Sequence, residues 1–411
     1  MGEAHMELGP AGVGALEKTA TGLTLNNFGK AKLADVFEDF VIYRDLEPLD
    51  KRLPGLKSAA GKMGLSDQSI PRKREIDYAR AARWFAEKSQ TLRNESKNLA
   101  ELLFLGDSLY NDGQAFQNLH DLTEWQAACF IGDEKSAEEA AVEMHGEQTI
   151  YSANRWAALG DWAGHILAQG LALDERTLVI VDIDKTVLGA KGRNDAVIDH
   201  ARLEGIYRTM DSVLGANFDR AAFERQYDEL NRAAYHSVTA DNQDFLAYIC
   251  LVLNAKLIQF DEFVKEVRGG NLDNFFQFTR WVNSRMMINP IGSERLRQVH
   301  ETVMNCEFSG DPTPFKSFRR QEFITTIERM GNMASDASVD EMLQQEITLT
   351  NEVMEMAKWL AARGCLLLCM SDKPSESACP DGSESADLPP LHRVETHLVG
   401  ATIQAQLDAL G

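Results

Sequence analysis

The chain has 411 residues, enough for two or three domains and at least one large core. Forty-two Lys and Arg stand against 63 Asp and Glu, a net charge of −21 that repels the phosphates of nucleic acid and anionic membrane surfaces, so neither is an expected partner. At 44% hydrophobic, 8% aromatic and 26% charged the composition is near the globular average, which excludes a chain disordered throughout. The opening MGEAHMELGP lacks a charged start followed by an apolar block, so no export signal is expected and the cytoplasm is the expected location. Residues 1 to about 30 lack periodicity and read as a loosely docked terminus. DFVIY at 39–43 predicts a strand, and a stretch punctuated by Pro54, Gly55 and Gly64 follows. Pro71 opens an amphipathic helix over 74–96, with Ile76, Ala79, Ala82, Trp84 and Phe85 near helical spacing.

Two short apolar runs come next, Leu102–Leu105 and Gln126–Ile131, each closed by Gly-Asp (Gly106-Asp107, Gly132-Asp133). They predict buried strands of a parallel sheet, with helical stretches between them and over Ser136–Met144. TLVIV at 177–181 predicts a third strand and ends at Asp182. From 197 to about 345 the pattern turns helical and aromatic-rich (Phe223, Tyr227, Tyr235, Phe245, Tyr248, Phe275, Phe276, Phe278, Trp281), the aromatics reading as core. A helix from about Thr348 to Arg363 stops at Gly364, and CLLLCM at 365–370 is a strand ending at Ser371. The Ser-, Pro- and acid-rich stretch 372–390 reads as a solvated loop. The expected architecture is therefore α/β, a Rossmann-like parallel sheet with an inserted helical domain: 1–196 and 346–411 the sheet layer with a C-terminal tail, 197–345 the insertion. Phe245–Leu253, nine residues, is the longest apolar stretch and far short of the roughly 20 a membrane span needs. The six cysteines (Cys129, Cys250, Cys306, Cys365, Cys369, Cys379) form no C-x-x-C pair and are expected to be mostly buried thiols.

Several of these strands end in polar residues: Asp107, Asp182 with Asp184, and Ser371. Ligands of open α/β sheets bind at the carboxyl ends of the strands, so these side chains are candidates for one site. Taken singly, each is equally a turn or cap residue. D-I-D-K-T at Asp182–Thr186, directly after an apolar strand, resembles the first motif of the haloacid dehalogenase superfamily, D-x-D-x-T. GDSLYND at 106–112 is similar to its fourth motif, Ser371 to its second, and Lys73, ahead of a helix, to its third. The order here is third, fourth, first, second, which makes the resemblance one to a circularly permuted member; cutting a compact domain elsewhere leaves its sheet contacts unchanged.

The resemblance implies a magnesium-dependent phosphatase acting on a small phosphorylated substrate. Asp182 is then the nucleophile and Asp184 the acid and base. Lys73 and Ser371 hold phosphate oxygens, and Thr186 braces the loop and borders the phosphate. Mg2+ is assigned to Asp182, Asp107 and Asp184, the last through its main-chain carbonyl, with Asp112 acting at longer range or by orienting Lys73. Lys373 competes with Lys73 for the lysine role. The same resemblance makes the insertion a cap, where Lys316, Arg319, Arg320, Arg225 and Arg232 are either anion-gripping groups or a solvated helix face. A phosphotransferase or phosphomutase using the same aspartyl-phosphate, and a non-catalytic binding protein of the same fold, are the alternatives. GAKGRND at 189–195 lacks the spacing of a phosphate loop and reads as a flap after the first motif, while His392, Glu395 and His397 match no metal-site spacing.

Overall fold

The computed structural model describes residues 24–93, 96–135, 140–146, 149–288, 294–382 and 385–411. The described residues divide into two compact units, 202–325 and 24–201 with 326–411. The expected loose docking of residues 1–23 lies outside the described residues, as do positions 136–139 of the helix expected over 136–144.

The larger unit is α/β. Its strands, in chain order, are β1 (Asn26–Ala31), β2 (Val41–Ile42), β3 (Glu101–Gly106), β4 (Gln126–Gly132), β5 (Val142–His145), β6 (Ile150–Ala153), β7 (Thr177–Val181), β8 (Leu349–Thr350), β9 (Leu366–Met370) and β10 (Thr396–Gly400). Seven of them form one sheet in the order β2-β9-β7-β3-β4-β6-β5. Every neighbouring pair is parallel except β5 with β6. The runs that stand out in the sequence are the centre of this sheet. β3, β7 and β9 are buried at every position, as strands covered on both faces must be. Leu103 pairs with Val179, and Val179 with Leu367. One face packs Leu102, Phe104, Ile180 and Leu368 against Ala79, Ala82 and Phe85 of the helix Ile76–Leu92. Each fully buried Leu, Ile or Phe there contributes about 1.5–3 kcal/mol of transfer free energy.

The sheet departs from expectation at its edges. Val142–Met144 is strand rather than helix: β5 runs antiparallel to β6, with Val142 and Glu143 exposed, so an edge position with few buried side chains left no alternation to read. A second sheet, β1-β10-β8, was not expected either. It makes strand of residues 26–31, at the end of the terminus expected to be loose. Nor is the stretch 372–390 only a solvated loop, since Lys373, Ser377, Ala378 and Ser385 are buried.

The smaller unit, Arg202–Thr325, is built of helices. Residues 326–345 belong with the α/β unit, where Met342 and Leu343 pack on Val399 of β10. Its core is aromatic: Phe223, Tyr235, Tyr248, Phe263 and Phe278 are buried, and Phe245 stacks on Phe275. Phe276, by contrast, is exposed. Four of the six cysteines are buried and none is in a disulfide. No helix among the described residues is long and apolar enough to cross a membrane.

Candidate active site

The carboxyl ends of β3, β7 and β9, three neighbours in the sheet, carry Asp107, Asp182 and Ser371. Strand register aligns those ends, because Leu105 pairs with Val181 and Val181 with Cys369. The Asp182 amide extends the ladder by donating to the Leu105 carbonyl at 2.9 Å, and the Ser371 amide does the same to Ile42 of β2 at 3.0 Å.

The spacing of G-D-x-x-x-x-D has a visible cause. After β3 the chain makes one wide, π-helical turn, Leu109–Gly113, which brings Asp112 back under the strand end. One Asp112 carboxylate oxygen accepts the amides of Asp107 (3.0 Å) and Ser108 (2.9 Å). A Cβ on Gly106 would lie 2.4 Å from the Asp112 carboxyl carbon, so only glycine admits this side chain. The other Asp112 oxygen is 2.5 Å from Lys73 Nζ, and the same ammonium donates to Asp182 Oδ1 at 2.5 Å. Lys73 sits in the turn before the helix Ile76–Leu92, a turn pinned by Asn118 Nδ2 donating to the Arg74 carbonyl. All three side chains are almost fully buried.

Around them, Thr186 Oγ1 donates to Asp182 Oδ2 at 3.4 Å, and its own carbonyl accepts the Thr350 hydroxyl at 2.6 Å. Lys185, between Asp184 and Thr186, adopts a left-handed φ of 62°, a conformation that a lysine side chain disfavours and that turns the D-I-D-K-T loop back on itself. Lys373 Nζ is 3.3 Å from Asp184 Oδ2, and its amide donates to Ser371 Oγ at 3.2 Å. The two candidate lysines therefore divide the site: Lys73 meets Asp182 and Asp112, Lys373 meets Asp184 and Ser371.

One carboxylate oxygen from each of Asp107, Asp112 and Asp182 lies within 4.8 Å of the others. Asp184 is outside this trio, and Asp112, expected to act at longer range, is inside it. Burial disfavours the Lys73 ammonium, but Asp112 and Asp182 outweigh it and hold its pKa well above the ordinary lysine value. Burial, opposed by Lys73 and reinforced by Asp112 and Asp107, pushes Asp182 up. Asp107 is raised to about 7, by burial first and then by Asp112. The cluster carries more carboxylates than cations, so it favours a bound proton or a metal ion. An all-oxygen donor set of this kind suits a hard divalent cation.

Sequence reading missed Lys191. It belongs to GAKGRND, and its Nζ lies 3.3 Å from Asp107 Oδ2 and donates to the Asp107 carbonyl at 2.8 Å. Nothing in its spacing from Asp182 marks it; only the fold of the turn brings it over. That turn is anchored by Arg193, whose guanidinium lies between the buried Glu134 and Glu352. Asn194 secures it further, donating to the Leu343 and Glu346 carbonyls.

The basic residues of the helical unit fall into three kinds. Arg319 is neither exposed nor available to a ligand: it is buried between Asp244 and Glu322. Arg232 pairs with Glu229 and Arg225 is exposed. Lys316 and Arg320 border a cavity. Near the C-terminus, His397 is paired with buried Glu346 and His392 with Asp39, structural contacts both. Comparisons of the chain with protein-family models, with curated proteins and with solved structures find no match.

Proposed function

We propose that this chain is a magnesium-dependent phosphatase of the haloacid dehalogenase type, circularly permuted, that hydrolyses a small phosphate monoester through an aspartyl-phosphate on Asp182. One observation carries the reading. Lys73, Asp107 and Asp112 gather around Asp182 at the ends of neighbouring strands, although Lys73 is 109 positions away in the chain. Caps and turns need no such convergence. The helical unit is read as the cap from its place in the chain, between the Asp182 loop and Ser371.

In the first step the Asp182 carboxylate attacks phosphorus and the bond to the leaving oxygen breaks. Asp184 gives that oxygen its proton. In the second, Asp184 takes a proton from the water that attacks the aspartyl-phosphate, and Asp182 is released with inorganic phosphate. Lys73 opposes the rise that burial imposes on Asp182 and aims its carboxylate, with Asp112 fixing Lys73 in turn, while Ser371 donates to a phosphate oxygen and Thr186 steadies the nucleophile loop. Mg2+ held by Asp182, Asp107 and the Asp184 main-chain carbonyl, with Asp112 behind them, would neutralise phosphate charge.

The test is release of inorganic phosphate from a panel of phosphorylated sugars, nucleotides and small acids. Turnover that requires Mg2+ and disappears in Asp182→Asn is the expected result. No release from any ester, or release undiminished in Asp182→Asn, overturns the proposal.

A further inference from the structure

The helical unit contains a cavity of about 250 Å³ whose walls run from Ser212 to Arg320, wholly inside that unit. Three helices form it: the end of Asp195–Leu214, the first half of Glu294–Phe308, and the N-terminal end of Lys316–Ile327. The lining has three cations, Arg295, Lys316 and Arg320, and no carboxylate, in a chain that carries 63 acidic residues against 42 basic ones. Hydroxyls of Ser212 and Ser317 add donors, and Val213 and Val299 give an apolar floor.

Local structure explains the sorting. In Lys316-Ser317-Phe318-Arg319-Arg320, residues 316 and 320 are one turn apart and share the cavity face, whereas Arg319 turns inward to Asp244 and Glu322. Lys316 is held in place, 2.6 Å from Asp311 and 3.1 Å from Thr313 Oγ1. Arg295 is likewise fixed, donating to the Ser212 carbonyl at 2.6 Å. The 12-residue helix that starts at Lys316 adds the positive end of its dipole to the same wall. Asp311 offsets the Lys316 charge, but the lining itself holds cations and no carboxylate, and a concave surface of one dominant sign focuses potential, the opposite of what the chain's net charge does at long range.

We propose that this cavity is a binding site for a small soluble phosphate ester, its phosphate gripped by Arg295, Lys316 and Arg320 and its short carbon chain laid on Val213 and Val299. The site is complete within residues 212–320 and does not depend on the Asp182 chemistry, so each can fail without the other.

Calorimetric titration of the full-length chain with glycerol phosphate and with pyrophosphate, in EDTA, tests it. Both are expected to bind, with a Kd unchanged within about twofold in Asp182→Asn and weakened at least about tenfold in the double substitution Arg295→Gln with Arg320→Gln. Arg295 and Arg320 are exposed, so these changes leave the fold intact, and an unchanged Tm checks it. Lys316→Gln, measured separately, should weaken binding as well. Absence of binding at about 10 mM ligand, a Kd indifferent to the pocket substitutions, or binding lost in Asp182→Asn would each overturn the proposal.

Discussion

Among the described residues, the buried clusters around Arg319 and Lys73 each hold a cation between carboxylates, and their charge balance separates a structural device from a candidate site. In the helical unit Arg319 lies between Asp244 and Glu322, and Glu322 takes Arg202 as a second cation, so two positive groups meet two negative ones. In the α/β unit Lys73 lies between Asp112 and Asp182 and Lys191 reaches Asp107, so two positive groups meet three negative ones. Excess carboxylate alone is not the criterion. Arg193 also faces two acids, Glu134 and Glu352, but those are sealed, and the Ala401 amide donates to one and the Trp156 amide to the other. Only the Lys73 cluster combines an unbalanced charge with a half-buried member, Asp107, at the ends of parallel strands.

The comparison breaks most visibly if substitution affects the two clusters alike. Asp182→Asn removes one charge from an overfilled set. Turnover should fall on the order of 10⁴-fold, while thermal melting of the metal-free chain shows a Tm unchanged or raised. Arg319→Leu does the reverse. It strands Asp244 in the helical core and leaves Glu322 with Arg202, and denaturant unfolding should show a loss of about 3–5 kcal/mol. A Tm drop in Asp182→Asn as large as that in Arg319→Leu would make the Lys73 cluster another structural network.

The response to pH sharpens the contrast, because the two units carry shifts of opposite sign. Asp107 is raised from 3.8 to about 7, so its protonated form is favoured by the fold. Its contribution to stability is complete below about pH 4 and is lost as pH rises through 7 in the metal-free chain. Magnesium needs the ionised carboxylate, so affinity in a metal titration should climb over the same window, and added Mg2+ should restore the melting temperature. In the helical unit His300, buried and sharing a hydrogen bond with the Tyr248 hydroxyl at 2.6 Å, is lowered from 6.5 to about 4 by burial. Its neutral form is the favoured one, so stability is full above pH 6.5 and falls as pH drops toward 4, by about 2 kcal/mol after allowance for solvent screening. His300→Gln should flatten that acid limb in melting curves and leave the Asp107 limb untouched.

How much of this was legible in the sequence follows from where each residue lies. TLVIV, LLFLG and LLLCM read as strands because central parallel strands are buried on both faces and need continuous apolar runs, and their polar ends marked Asp107, Asp182 and Ser371. Edge elements carry no such pattern, and so β5 and the sheet β1-β10-β8 went unread. Lys191 and the burial of Arg319 were illegible for another reason. A basic residue on a loop or helix looks the same in sequence whether it meets solvent or a carboxylate, and only tertiary placement decides. Asp112 is the intermediate case: its spacing from Asp107 was readable, but its place beside Lys73 depends on the turn that Gly106 permits.

The smallest expected effect concerns approach rather than chemistry. A chain of net charge −21 repels an anionic ester at distances beyond its metal and lysines, and the Lys73 cluster itself leaves a carboxylate in excess. Salt shortens the reach of that repulsion before it weakens close contacts, since the Debye length falls from about 30 Å at 0.01 M to about 10 Å at 0.1 M. With Mg2+ saturating, kcat/KM for a phosphate monoester should therefore rise a few-fold between those ionic strengths and leave kcat nearly constant. A steep fall instead would mean that the field at the site mouth is already positive, with Lys191 and Lys373 rather than the net charge setting the approach, and the unbalanced cluster would then be less negative than its residues imply.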